Sequence, residues 1–130
     1  MNGRGTLTWD GNTYYGEFEN GMRHGKGKQS RADGSTFYGK FSENKFMDGE
    51  CKVTWGSQKI YIGDCKNGMA NGRGTKTFKR SKTLVGSFKD GKASGEIVMK
   101  KADGTEFKGN FIDDEPEGYG TFSYPSYSEK

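Results

Sequence analysis

The sequence predicts an all-β fold: an elongated, single-layer antiparallel β-sheet solenoid, or trough, of about five hairpin repeats with a half-repeat at each end. The first observation is a glycine that recurs at positions 16, 39, 63, 86 and 109, with spacings of 23, 24, 23 and 23 residues. The second is that the residues two before and two after this glycine are mostly aromatic and therefore share its strand face. The third is composition: 29% of residues are hydrophobic and 22 are glycine, which is too little for a thick two-layer core.

Eleven strands alternate with short turns along the predicted array. Pairs such as Asp33-Gly34 and Asn67-Gly68 accept positive φ and mark the turns between strands. The chain opens and closes on half-units, 3–9 and 118–124, each of which supplies the second strand of a hairpin without its first. The predicted strands are 3–9, 14–19, 25–31, 36–43, 49–55, 59–66, 72–78, 82–89, 95–101, 106–112 and 118–124.

We predict one array over residues 1–125 and a tail at 126–130. The two half-repeats leave an unpaired strand edge at either end, which would allow end-to-end or homo-oligomeric association. The units of the array are a half-repeat at about 3–13 and repeats at 14–36, 37–60, 61–83, 84–106 and 107–125.

The spacing of the first hairpin predicts that Trp9 lies opposite Tyr14. A strand glycine leaves room for a neighbouring ring to lie flat over the backbone, so ring-over-glycine packing is the predicted core. The same register in the third hairpin places Cys51 opposite Cys65. Three interpretations of this pair stay open: two buried thiols that fill a glycine–aromatic slot, which we favour, a cross-strand disulfide, and a pair of metal ligands without the further ligands that zinc requires.

No set of residues in the sequence matches a catalytic or cofactor motif. His24 is the only histidine, and we predict that it stabilises a turn, because hydrogen-bonding residues fill its slot in the other repeats. The Gly-x-Gly pairs precede strands, whereas a phosphate loop precedes a helix. The acidic segment 113–117 does not have the spacing of a calcium loop. We therefore predict no enzymatic activity, no cofactor and no metal.

The unit at residues 14–27 resembles the MORN repeat, whose pattern is roughly Tyr-x-Gly-x-Phe/Trp-x-x-Gly-x-x-x-Gly-x-Gly. The resemblance covers about residues 3–124, and the copies that begin at Tyr61 and Leu84 follow the pattern less fully. It implies a non-enzymatic array with a groove that receives a helix or an extended peptide. It also implies a cytoskeletal, ciliary or membrane-associated assembly.

The aromatic face provides the candidate binding groove. A contiguous apolar surface that no second layer covers usually marks a binding site, and the apolar anchors of a helix suit an aromatic trough. We therefore predict a protein–protein interaction scaffold. The predicted groove residues are Trp9, Tyr14, Phe18, Phe37, Phe41, Trp55, Tyr61, Phe78, Phe88, Phe107 and Phe111.

Positive charge is concentrated in residues 73–101, which carry nine basic and two acidic groups. A solvated charged face is the plain interpretation, and a peripheral membrane module that binds acidic phospholipids is the functional alternative. Nucleic acid is disfavoured as a partner, because the aromatics are assigned to the glycine face and do not interleave with the lysines. The predicted lipid-binding residues are Lys76, Lys79, Arg80, Lys82, Lys100 and Lys101.

The sequence shows no signal peptide and no apolar run long enough to cross a membrane. Two cysteines in 130 residues do not indicate a disulfide framework. We therefore expect a cytoplasmic location, either cytoskeletal or ciliary or at the periphery of a membrane.

Overall fold

The computed structural model describes residues 2–124, which form a single antiparallel β-sheet and contain no helix. Consecutive strands pair along the whole sheet, except that the short β5 pairs only with β4. This confirms the predicted all-β, single-layer fold. The strands are β1 (Gly3–Trp9), β2 (Asn12–Glu19), β3 (Met22–Ser30), β4 (Ser35–Ser42), β5 (Lys45–Phe46), β6 (Gly49–Trp55), β7 (Lys59–Lys66), β8 (Met69–Phe78), β9 (Lys82–Lys89), β10 (Lys92–Lys101), β11 (Glu106–Ile112) and β12 (Glu115–Ser123).

Four strands begin three residues earlier than the sequence predicts, at Met22, Met69, Lys92 and Glu115. The reason is a two-residue turn, shown by Asn20 and Gly21 with φ of 52° and 76°. Positive φ at both central residues is the hairpin turn that matches strand twist, so the next strand starts at once. The glycine that we expected to begin the strand lies instead at a β-bulge inside it, where Gly25 has a φ of 71°.

The predicted register of the first hairpin is wrong by two residues. Leu7, and not Trp9, lies opposite Tyr14, and Gly5 lies opposite Gly16. The turn at Asp10-Gly11 has only two residues and therefore places Trp9 opposite Asn12. A shift of two residues keeps every side chain on its predicted face, because side chains alternate with a period of two.

One face of the sheet, here called the core face, holds the buried side chains. It is defined by Tyr14, Phe37, Val53, Tyr61 and Leu84, all 0% exposed. These side chains are buried without a second layer because the rings lie over strand glycines. A Cβ added at Gly27 would overlap the ring of Tyr14, and one at Gly74 would overlap that of Tyr61. This confirms the predicted ring-over-glycine packing.

Long side chains connect hairpins that are not neighbours. Arg31 Nη1 donates a hydrogen bond to the carbonyl oxygen of Gly68 at 2.9 Å, across 37 residues. Lys76 Nζ reaches the carboxylate of Asp114 at 2.8 Å, across 38 residues. Such contacts join the core face to turns more than one repeat away, so the sheet curls toward its core face.

Met1 and residues 125–130, which include the predicted tail at 126–130, lie outside the described residues. Across residues 2–124 there is no helix with the length and hydropathy that crossing a bilayer requires.

Candidate functional site

Most of the predicted groove residues form the core itself. Eight of the eleven are at most 7% exposed. Four of these rings lie over strand glycines, and the other four pack against those rings. Their side chains therefore offer a partner little surface. The buried eight are Tyr14, Phe18, Phe37, Phe41, Tyr61, Phe88, Phe107 and Phe111.

Three of the eleven, Trp9, Trp55 and Phe78, are half-buried and pack against the core from its margin. Trp9 stands apart, with the Arg23 guanidinium 4.8 Å from its ring centroid. That guanidinium is itself fixed, because Arg23 donates hydrogen bonds to Gln29 Oε1 at 2.7 Å and to the Asn44 carbonyl oxygen at 2.6 Å.

Trp55 and Phe78 belong to one continuous row across five strands, here called the aromatic–lysine row. Its members lie directly opposite one another in the sheet, in the order Trp55, Lys59, Phe78, Lys82, Lys101. The row lies on the core face beside the turns that connect β6 to β7, β8 to β9 and β10 to β11. The structure thus joins two residues predicted for the groove to two predicted for lipid binding.

The ammonium groups of the row lie close to its rings. Lys59 Nζ lies 5.8 Å from the ring centroid of Trp55 and 6.0 Å from that of Phe78. Lys82 Nζ lies 5.0 Å from the Phe78 centroid. Each distance is within cation–π range.

Lys82 and Lys101 lie directly opposite one another, and like charges at such positions destabilise a sheet. Among residues 2–124, neither lysine has a carboxylate within ion-pair distance. An anionic group placed between the two would remove this repulsion.

Lys59 was missed by the sequence reasoning. It stands two residues before Tyr61, and Lys82 stands two residues before Leu84. The recurrence of lysine in the same slot of consecutive repeats was the signal that could have found it.

The structure corrects the lipid-binding prediction for Lys76. Its side chain is 3% exposed and lies between the rings of Trp55 and Phe78, with Nζ hydrogen-bonded to Asp114 and to the Gly91 carbonyl oxygen at 2.9 Å. Burial lowers the pKa of the Lys76 ammonium, and the hydrogen bond from Nζ to Asp114 opposes this effect. Lys76 therefore stabilises the core and does not reach a membrane surface.

The other predicted lipid-binding residues gather at one edge of the sheet. Lys79 and Arg80 are exposed in the turn after β8, and Lys100 and Lys101 are exposed at the end of β10. The turn after β8 and the turn after β10 are held together, because the Ala102 amide donates a hydrogen bond to the Ser81 carbonyl oxygen at 3.0 Å. These four residues, here called the basic edge, lie at the same edge of the sheet as Lys82, and Lys100 and Lys101 present their side chains to opposite faces.

Cys51 and Cys65 are joined by a disulfide, which corrects our preference for two free thiols. The predicted register is again wrong by two residues. Cys51 lies opposite Gly63 and Cys65 lies opposite Gly49, so the cysteines are diagonal neighbours on the core face. Their Cα atoms are 5.8 Å apart, within the usual range for a disulfide.

In two other repeats, the residue equivalent to His24 stabilises a turn. The side chain of Asp48 accepts a hydrogen bond from the Asn67 amide, and that of Asn71 accepts one from the Asp90 amide. These bonds tie each turn to the next. His24 departs from this pattern, because its Nε2 lies 3.3 Å from Glu19 Oε2 within its own hairpin.

The premise that aromatics and lysines occupy separate faces is wrong. The residues after Tyr14 and Phe37 are Tyr15 and Tyr38, which lie on the other side of the sheet, here called the opposite face. Their exposures are 51% and 36%. They stand among lysines there, just as Trp55 does on the core face. The prediction that nucleic acid is not a partner thereby loses its supporting argument.

A family model described as MORN repeat matches residues 1–13, 14–36, 61–81, 85–106 and 107–129. The copies that begin at Tyr61 and Leu84 are matched, although the sequence reasoning placed them further from the pattern. Residues 37–60 fall between the matched segments, and this is the unit in which β5 is separated from β6. A search of curated proteins finds no significant match.

Proposed function

Because the chain belongs to the MORN-repeat family, we propose that it is a non-enzymatic protein-binding scaffold. MORN repeats are in general protein- and membrane-interaction modules. The proposed binding site is the aromatic–lysine row, and the proposed occupant is an amphipathic segment of a partner protein, a helix or an extended peptide, with acidic residues beside its apolar anchors. A cytoskeletal or ciliary setting remains a prediction from the family.

The alternation of half-buried rings and lysines on the core face carries this proposal. Trp55 and Phe78 offer apolar contact area at the margin of a face whose other rings are covered. Aromatic side chains in such partly desolvated positions are the usual anchors of protein interfaces. The facing pair Lys82 and Lys101 supplies positive charge, and among residues 2–124 neither lysine has a carboxylate within ion-pair distance. An apolar partner surface would leave the repulsion between Lys82 and Lys101 in place, whereas an acidic partner surface would relieve it.

Affinity capture from a native extract tests the proposal, followed by titration of the captured protein in purified form. The test variant is Trp55→Leu/Phe78→Leu, and the matched control is Tyr15→Thr/Tyr38→Thr, which changes two aromatics on the opposite face. We expect the test variant to bind at least about tenfold more weakly, because anchor residues commonly contribute more than about 1 kcal/mol each. Circular dichroism checks that each variant is folded. Equal binding by the test variant and the control would refute the site.

The second candidate function is binding of acidic phospholipids, and the basic edge favours it. Four exposed cations lie there, with Lys79 and Arg80 in the turn after β8 and Lys100 and Lys101 at the end of β10. A basic residue close to an anionic bilayer contributes about 1 kcal/mol, so four of them would suffice for weak, reversible attachment.

Sedimentation with vesicles tests this candidate. Phosphatidylcholine vesicles with phosphatidylserine should retain the chain at low salt and release it as salt rises, and pure phosphatidylcholine vesicles should not retain it. The variant Lys79→Gln/Arg80→Gln should lose retention, while Trp55→Leu/Phe78→Leu should keep it. Retention that persists in both variants would rule out the basic edge as the lipid site.

A further inference from the structure

The opposite face carries a second row in which tyrosine and lysine alternate. Tyr15 lies opposite Lys28, Lys28 opposite Tyr38, and Tyr38 opposite Lys52, so four consecutive strands of the sheet path contribute one residue each. Lys52 Nζ lies 5.1 Å from the ring centroid of Tyr38, and Lys28 Nζ, from the strand on the other side of β4, lies 5.8 Å from it. Half or more of Tyr15 and about a third of Tyr38 are exposed to solvent.

Two more lysines enlarge the positive charge beside this row. Lys26 and Lys40 lie directly opposite one another on β3 and β4, each two residues from a member of the row and on the same face. This pair of like charges is unfavourable in the free protein. None of the four lysines has a carboxylate within ion-pair distance among residues 2–124. The nearby Glu17 carboxylate accepts a hydrogen bond from the Lys26 backbone amide instead.

Hydroxyl groups border the row on its other side. Thr13 lies opposite Ser30, Ser30 opposite Thr36, and Thr36 opposite Thr54. Each of them is two residues from a member of the tyrosine–lysine row and shares its face. The patch therefore offers flat rings in the middle, cations on and beside the rings, and hydroxyl donors and acceptors along one side.

We propose that this patch binds single-stranded nucleic acid, with bases stacked on Tyr15 and Tyr38 and phosphates held by the surrounding lysines. Stacking tolerates any base, because every base has a π-face, and a cationic surface tracks the backbone. The two rings are two strands apart, about 10 Å, so only a strand with unstacked bases reaches both. A duplex keeps its base faces covered. An acidic peptide would satisfy the lysines but has no regular series of planar groups for the rings.

Fluorescence anisotropy with a labelled oligothymidylate of about ten nucleotides tests the proposal, using the whole chain. We expect the logarithm of the association constant to fall with the logarithm of salt concentration with a slope of about −3, as neutralisation of four phosphates on a single strand predicts. Lys28→Gln/Lys52→Gln should make this slope about 1.4 less steep. Tyr15→Thr/Tyr38→Thr should weaken binding at least about tenfold, because two stacking contacts are lost.

Two control variants match these changes elsewhere on the chain. Tyr119→Thr alters a tyrosine that is fully exposed on β12, and Lys79→Gln/Arg80→Gln alters the basic edge. Both should bind the oligonucleotide as the parent does. Trp55→Leu/Phe78→Leu should also bind it, which separates this surface from the proposed protein site.

Three results would overturn the proposal. The first is no oligonucleotide binding at low salt. The second is a Tyr15→Thr/Tyr38→Thr variant that binds as tightly as the parent. The third is displacement of the oligonucleotide by polyglutamate at an equal or lower concentration of charge than by unlabelled oligothymidylate. That result would assign the patch to an acidic protein.

Discussion

Replacing Gly74 by alanine tests the central statement about this fold, that rings over glycine take the place of a second layer. Gly74 has no positive φ, so its backbone conformation suits alanine. If nothing lay above it, the substitution would stabilise the protein by about 0.4–1 kcal/mol, because the unfolded chain loses freedom. The sign of the change in the free energy of unfolding therefore shows whether a ring lies over Gly74 or the space above it is open.

The structure predicts a loss of about 2–6 kcal/mol. A Cβ at position 74 would lie 2.5 Å from Cε1 and Cζ of Tyr61, too close for any real contact. The Tyr61 ring is 0% exposed and packs edge to face on Phe88 at 5.0 Å, so it has no free space to enter. Overpacking of this kind costs about 1–3 kcal/mol. Displacing the ring also breaks the hydrogen bond from its hydroxyl to the Asp64 carbonyl oxygen, which costs about 1–3 kcal/mol more.

Urea denaturation followed by circular dichroism measures this loss, and a thermal melt should show a Tm about 8–24 °C lower at about 4 °C per kcal/mol. The control is a double-mutant cycle with Tyr61→Leu, whose shorter side chain leaves room for the alanine. We expect Gly74→Ala to be nearly harmless in that background, which gives a coupling energy above about 1 kcal/mol. A neutral or stabilising effect in the parent, or simple additivity in the cycle, would refute ring-over-glycine packing.

Three further predictions concern the buried groups. Burial raises the pKa of Tyr61 from 10.0 to about 12, so the folded state keeps a proton that the unfolded chain loses. The free energy of unfolding should therefore fall between about pH 10 and 12, by up to about 1.4 kcal/mol per pH unit. Urea midpoints measured across that range should show a shallower fall in Tyr61→Phe. Asp114→Asn should cost at least about 2 kcal/mol, because it leaves the Lys76 ammonium buried without its counter-ion, and Lys76→Met in the same chain should recover most of the loss. Reduction of the Cys51–Cys65 disulfide, whose cysteines are 14 residues apart, should lower the free energy of unfolding by roughly 3 kcal/mol. Denaturation with and without reductant measures this change. Thiols that react at once with a thiol reagent in the untreated folded protein would contradict the disulfide.

The sequence determined the architecture because its signal is periodic. A glycine every 23 or 24 residues, with rings two positions away, fixes which residues share a face and how many hairpins follow one another. An error of two residues in register does not alter the face, so the core could be predicted although Trp9 was placed opposite the wrong residue. The shortness of the turns and the bulges that follow them escaped prediction, because Gly25 marks a bulge with the same residue type that marks a turn.

The candidate site depended on the tertiary structure to a greater extent. The predicted groove residues were aromatic by type, but type does not decide exposure. Tyr61, whose ring lies over strand glycines, is buried, whereas Trp55, at the end of a strand, is only half-buried. Sequence reasoning also grouped lysines by their position along the chain. Lys76 and Lys82 are six residues apart, yet Lys76 is paired inside the core and Lys82 lies beside an aromatic ring at its margin.

What the sequence alone determined is therefore the repeat, the sheet and the division of residues between two faces, because these follow from spacing along one chain. What only the tertiary structure decided is the disulfide between Cys51 and Cys65, the alternation of rings and lysines across strands, and the exposure of each ring. These features depend on which residues meet from different strands. Strand pairing is set by turn geometry and by the curl of the sheet. A shift of two residues changes every contact between residues on neighbouring strands, but it leaves the periodic pattern of the sequence unchanged.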